Sequence, residues 1–145
     1  MYKVKMDGQT LYYPGDKEAV LTNPTLNLQT GYAGTFEFSV PQNNPLYDKI
    51  KNRSSMVSVF RDTTELFYGE VRKQPKVDRY RNKNVYCAGA MSFLADSIQP
   101  QAEYHDMTPR QMLETFLDIH NNQVEDRKKV YLGKVTITDA NDSLC

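Results

Sequence analysis

The sequence predicts a mainly β (α+β) chain: a small β-barrel followed by an amphipathic helix and a terminal strand. Three observations carry this. Phe36, Phe38 and Val40 alternate strictly with Thr35, Glu37 and Ser39, the period of two that marks a half-buried strand. Similar runs, separated by Gly- and Asp-containing turns, recur through the first hundred residues. After Thr108-Pro109 the apolar period becomes helical.

Taken in order, Asp7-Gly8 is a two-residue hairpin turn, because type I′ geometry needs positive φ at both central positions. It predicts Met6 opposite Gln9, Val4 opposite Leu11 and Tyr2 opposite Tyr13, with Lys3, Lys5, Thr10 and Tyr12 on the wetter face. Leu26 and Leu28 alternate with polar neighbours before Gly31-Tyr32-Ala33-Gly34 turns the chain into the phenylalanine strand. Pro41 stops that strand. Asn44-Pro45 then reads as the start of a helix of about two turns ending near Ile50, since asparagine caps free N–H groups and proline fits the first helical position. Strands resume at 56–60 and 65–73, joined by Arg61-Asp62-Thr63-Thr64. Gly69, between Phe67 and Val71 on one face, predicts a bulge or a close backbone approach. A further strand covers 84–88. Five or six strands with one short helix predict a barrel or sandwich.

Thr108-Pro109-Arg110-Gln111 forms a capping box with Pro at the first helical position. Met112, Leu113, Phe116, Leu117 and His120 make one stripe, with Arg110, Glu114 and Asp118 facing away. A strand-like segment, 129–138, follows. We divide the chain into a barrel domain, 1–100, and a helix-plus-strand region, 101–145, expected to begin a further part of a longer parent protein.

With 145 residues the chain suffices for one ordinary core. The 18 basic and 18 acidic residues cancel, so no global field draws nucleic acid or an acidic membrane. No apolar run approaches the roughly 20 residues of a membrane span, and Met1-Tyr2-Lys3-Val4 is no signal peptide. Ten tyrosines and six phenylalanines with no tryptophan suit pleated surfaces and interfaces.

The chemistry-bearing residues are few. Cys87 and Cys145 predict neither a bridge nor, with His105 and His120, a zinc site. Cys87 lies between apolar neighbours and reads as a small buried hydrophobe; His120, ending its stripe, reads as a cap or core residue. A nucleophile would need a serine or Cys87 beside one of the histidines, for which no local signature exists. The scattered acids read as solvated, and no phosphate-binding glycine loop occurs. Arg72, Lys73, Lys76, Arg79, Arg81 and Lys83 form a basic cluster, read as a solvated hairpin arm because Tyr80 alone offers a stacking platform. No catalytic, cofactor or metal residue is assigned.

Several segments, in order, resemble the N-terminal hub region of siphophage and prophage tail-associated proteins, the minor structural, tail endopeptidase-type proteins related to the contractile-phage baseplate hub. They are the Asp7-Gly8 hairpin leading to Tyr13-Pro14, and Ala33-Gly34-Thr35-Phe36-Glu37-Phe38 with Asn44-Pro45-Leu46-Tyr47. Phe67-Tyr68-Gly69-Glu70-Val71 follows, then Tyr86-Cys87-Ala88-Gly89 with Phe93-Leu94-Ala95-Asp96-Ser97, and Thr108-Pro109 opening a helix that ends in His120-Asn121. The resemblance implies a split barrel that mimics one tail-tube subunit, and a trimeric hub in the full-length parent. It also implies a structural rather than enzymatic role in a virion tail, made in the host cytoplasm. The implied partners are other tail proteins: a distal tail protein, and tube or tape-measure components. A peptidase or glycan-degrading domain often follows in that family, and no counterpart lies in these 145 residues. The competing reading is a carbohydrate- or receptor-binding module, which would show a concave pocket with polar groups converging on an aromatic.

Overall fold

The computed structural model describes residues 1–137, which separate at Ala90/Met91 into two compact units. The first is an eight-stranded antiparallel sheet: β1 (Tyr2–Met6), β2 (Gln9–Tyr12), β3 (Thr22–Asn27), β4 (Thr35–Val40), β5 (Met56–Arg61), β6 (Thr64–Val71), β7 (Lys76–Val77) and β8 (Lys83–Gly89). The order is β2-β1-β5-β6-β8-β4-β3, with β7 added beside β8. The second unit holds all but the first residue of the 3₁₀ segment Ala90–Asp96, a 3₁₀ turn at Asp126–Lys128, and α1 (Pro109–Asn121). The sequence division at 100 put the Ala90–Asp96 segment with the barrel.

Strand alternation builds the core. Phe36, Phe38 and Val40 of β4, Val85 and Cys87 of β8, Phe67 and Val71 of β6, Val57 and Val59 of β5, and Val4 and Met6 of β1 are all buried in one cluster. Phe36 is the aromatic centre, with ring centroids 4.8 Å from Phe38 and 6.1 Å from Phe67. Gly69 and Gly89 face each other across β6 and β8. A Cβ at Gly69 would strike the Ala88 carbonyl oxygen and the Phe67 ring, and one at Gly89 the Ala33 carbonyl oxygen. Of the two expectations for Gly69, the close approach is therefore the one realised. The bulge lies at Leu66, between the Val59–Phe67 and Phe60–Glu65 pairs.

The first hairpin turns at Asp7 (φ 49°) and Gly8 (φ 81°), as the sequence predicts. Its register holds for Met6–Gln9 and then slips: Val4 faces Tyr12 rather than Leu11. Leu11 becomes the extra residue of a bulge and is fully buried, while Tyr12 packs against the core instead of joining the wet face. The expected two-turn helix after Asn44 is a single 3₁₀ turn, Tyr47–Lys49. Asn44 is committed elsewhere. Its Oδ1 accepts from the Leu46 N–H (3.0 Å), while Nδ2 donates to the carbonyls of Leu11 (2.9 Å) and Val20 (3.0 Å). The chain then drops Leu46 and Ile50 into the core.

In the second unit the capping box is complete: Gln111 N–H donates to Thr108 Oγ1 (3.2 Å) and Thr108 N–H to Gln111 Oε1 (2.9 Å). The helix ends at Asn121, as expected. Its apolar stripe is covered only in part, for Leu113 remains 42% exposed while His120 is fully buried. Residues 129–137 form no strand among the described residues, and Thr138 lies outside them. They lack a neighbouring strand, and side chains take that role: Asn121 donates to the Val130 carbonyl and accepts from its N–H, both at 2.8 Å.

Two predictions follow from these contacts. Asn44→Ala leaves two buried or half-buried carbonyls and one N–H without their partner, so unfolding by denaturant should show a loss of about 2–4 kcal/mol. Asn44→Asp keeps the acceptor and loses both donors, and should be nearly as damaging. In the helix, Phe116→Ala should cost more than Leu113→Ala, which at its exposure should cost about 1 kcal/mol, comparable to the lost cap in Thr108→Ala. Equal, large losses at Leu113 and Phe116 in a thermal melt would mean the stripe is covered throughout.

Candidate functional site

The outer face of the same sheet carries the polar residues of the alternating pattern. Across β4 and β8, Glu37 stands opposite Tyr86 and Ser39 opposite Asn84. β3 places Thr25 opposite Glu37, and β7 places Lys76 opposite Asn84. Two rows result, Thr25–Glu37–Tyr86 and Ser39–Asn84–Lys76, because residues opposite in register share a face. With Asn23, Lys73 and Gln74 they line an open groove of about 370 Å³. Ser39 Oγ donates to Asn84 Oδ1 at 2.6 Å, which turns the amide so that its N–H groups are left to donate. The Lys73 ammonium lies over the Tyr86 ring, 4.1 Å from its centroid.

The basic cluster is largely spent on local structure. Arg72 pairs with the fully buried Glu70 at 3.0 Å. Arg79 stacks on Tyr80, and Lys83 donates to the Tyr47 carbonyl (2.7 Å) above the Tyr47 ring. Asp78 organises the loop between β7 and β8. Backbone donation from Asn82, then its side chain and the Tyr80 N–H, hold the Asp78 carboxyl below the usual range. Glu70 is a residue that sequence reasoning missed; an acid between Gly69 and Val71 at the apolar end of its strand, two positions before an arginine, was the signal available.

Cys87 is fully buried, and burial pushes its thiol up, so no thiolate forms near neutrality. His105 is exposed beside Glu103, 3.8 Å away. Among the described residues no group of three or more His, Cys, Asp or Glu could hold a metal ion, and no helix is long and apolar enough to cross a membrane.

His120 does meet a serine, which its spacing did not reveal. Nδ1 lies 2.7 Å from Ser97 Oγ, and Nε2 lies 3.1 Å from the Lys128 carbonyl oxygen. A carbonyl only accepts, so Nε2 carries a proton, while Nδ1 faces the Ser97 hydroxyl, which also lies 3.4 Å from the Leu94 carbonyl oxygen. The ring is fully buried and oriented by a neutral carbonyl rather than a carboxylate, an arrangement suited to joining segments. Gln123 makes a similar join, donating to the Ile98 carbonyl (2.9 Å) and accepting from its N–H (3.0 Å). Beside this join, Leu94, Tyr104, Met112, Leu113, Phe116 and Leu117 line an apolar groove of about 930 Å³.

Ser97→Ala should leave the buried Nδ1 without its hydrogen-bond partner and lower the melting stability of the second unit by about 1–3 kcal/mol. If stability is unchanged and an ester hydrolysis present in the parent disappears, the pair is catalytic instead.

No protein-family model matches this chain and no curated protein is similar to it, so the geometry of the groove and of the sheet edges carries the functional argument.

Proposed function

We propose that the protein is a structural component of a phage tail tip or baseplate hub, working by assembly with other tail proteins at the end of the tail tube. The observation that carries this reading is the open edge of the sheet. β3 pairs only with β4 and is exposed along nearly its whole length, and such an edge offers backbone groups to another chain. Exposed tyrosines, among them Tyr2, Tyr13, Tyr32 and Tyr80, supply amphipathic contact area of the kind interfaces use. The ordered segments that resemble tail hubs give the partner class, and the balanced charge leaves recognition to shape and buried anchors.

A second reading, a carbohydrate- or receptor-binding module, is favoured by the outer groove, which gathers polar groups around Tyr86. The two readings separate in solution. Mixed with a purified distal tail protein, the chain or a version extended through the next domain should give a stoichiometric complex by light scattering, with no cleavage of cell-wall peptide or glycan. Absence of a complex with both versions would reject the assembly reading, and cleavage abolished by changing one carboxylate would replace it with an enzymatic one.

A further inference from the structure

We propose that the groove across β3, β4, β8 and β7 is a saccharide-binding site, with one sugar ring packed on Tyr86 and its hydroxyls held by Glu37 and Asn84. The inference deepens the second reading above and is independent of the hub reading. It rests first on how the groove is built. Its polar side chains stand on paired strands, Glu37 directly opposite Tyr86 and Ser39 opposite Asn84, so their spacing is fixed by the ladder at about 4.8 Å between strands. That is close to the width of one pyranose ring.

The chemistry on the floor fits hydroxyl groups. Glu37 accepts, the Asn84 amide is turned by Ser39 to donate, and the two sit diagonally across one row from each other. A sugar hydroxyl is both donor and acceptor and can satisfy either. The aromatic completes the set, because the weakly positive C–H face of a sugar ring is attracted to the negative face of a tyrosine ring. In this structure the Lys73 ammonium occupies that face, and a bound ring would displace it toward solvent, where lysine is readily hydrated. Charge narrows the ligand further. Lys73 and Lys76 against one carboxylate disfavour a cationic ligand, while Glu37 at the centre disfavours a phosphate seated on the floor. At about 370 Å³ the groove lies at the small end of the ~300–1,000 Å³ range of ligand clefts, suited to one or two rings of a longer glycan.

The test is a titration of the whole chain with maltotriose, cellotriose and chitotriose at millimolar concentration, followed by amide shifts in a ¹H–¹⁵N spectrum. At least one sugar should give saturable shifts centred on residues 37, 39, 84 and 86. Tyr86→Ala and Glu37→Gln should each weaken binding about tenfold or more, and Tyr131→Ala, an exposed tyrosine of the second unit, should leave it unchanged. Should Tyr86→Ala fail to give a native spectrum, Asn84→Ala takes its place with the same expectation. Absence of saturable shifts with all of these sugars overturns the proposal, as do shifts that map elsewhere or full binding by natively folded groove variants.

Discussion

The first unit depends on one side chain at the place where its sheet fails to close. β2 and β3 end the strand order and share no ladder, so the sheet curls without becoming a continuous barrel. The two end strands differ in build: β2 has four residues with a bulge at Leu11, and β3 carries Pro24 beside Asn23, whose φ of 51° interrupts its register with β4. Asn44 spans the gap. One planar amide supplies two donors, to Leu11 in β2 and to Val20 just before β3, and one acceptor to the Leu46 N–H that starts the inward turn. Aspartate has no donors, and alanine has neither donor nor acceptor. Among the short side chains, asparagine alone satisfies all three groups.

The opposite side of the sheet is governed by close approach rather than by hydrogen bonding. Facing glycines on β6 and β8 let the Phe67 ring lie against both backbones, and any side chain there would drive the ring or the Ala33 carbonyl away. This lets Phe67 reach Phe36, and through it Phe38, so three aromatic rings fill the centre of a small sheet. The missing side chains at Gly69 and Gly89 are therefore part of the packing.

What could be read from the sequence was what depends on period and on local chemistry. The strands around Phe36, Phe67 and Cys87 follow from alternation, and the helix limits follow from Thr108, Pro109 and Gln111, because caps act over three or four residues. What could not be read depends on partners distant in sequence. The slip at Leu11 becomes visible only once β2 has a core to face. The helix start that Asn44-Pro45 predicts becomes a single 3₁₀ turn, because the Asn44 amide is drawn to carbonyls 33 and 24 residues away. The contact of Ser97 with His120 and the two rows of the outer groove likewise arise from pairings across the fold. The strand-like segment 129–138 shows the same limit, because strand propensity does not tell a segment bound by neighbouring amides from one in a ladder.

Parity along β8 connects stability with the proposed functions. The strand serves three neighbours: β4 along one edge, and β6 and β7 at different points of the other. Its alternate residues serve different faces, with Val85 and Cys87 inside and Asn84 and Tyr86 outside. Because the ladder is made by the backbone, the outer set can vary in chemistry without disturbing the inner set, provided residues that tolerate a pleated surface are kept. The same separation does not hold at β3, where the exposed edge is also the strand whose approach Asn44 secures. A partner that paired with that edge would bind within a few residues of the seam, and so would be coupled to the stability of the barrel in a way that a ligand in the groove would not.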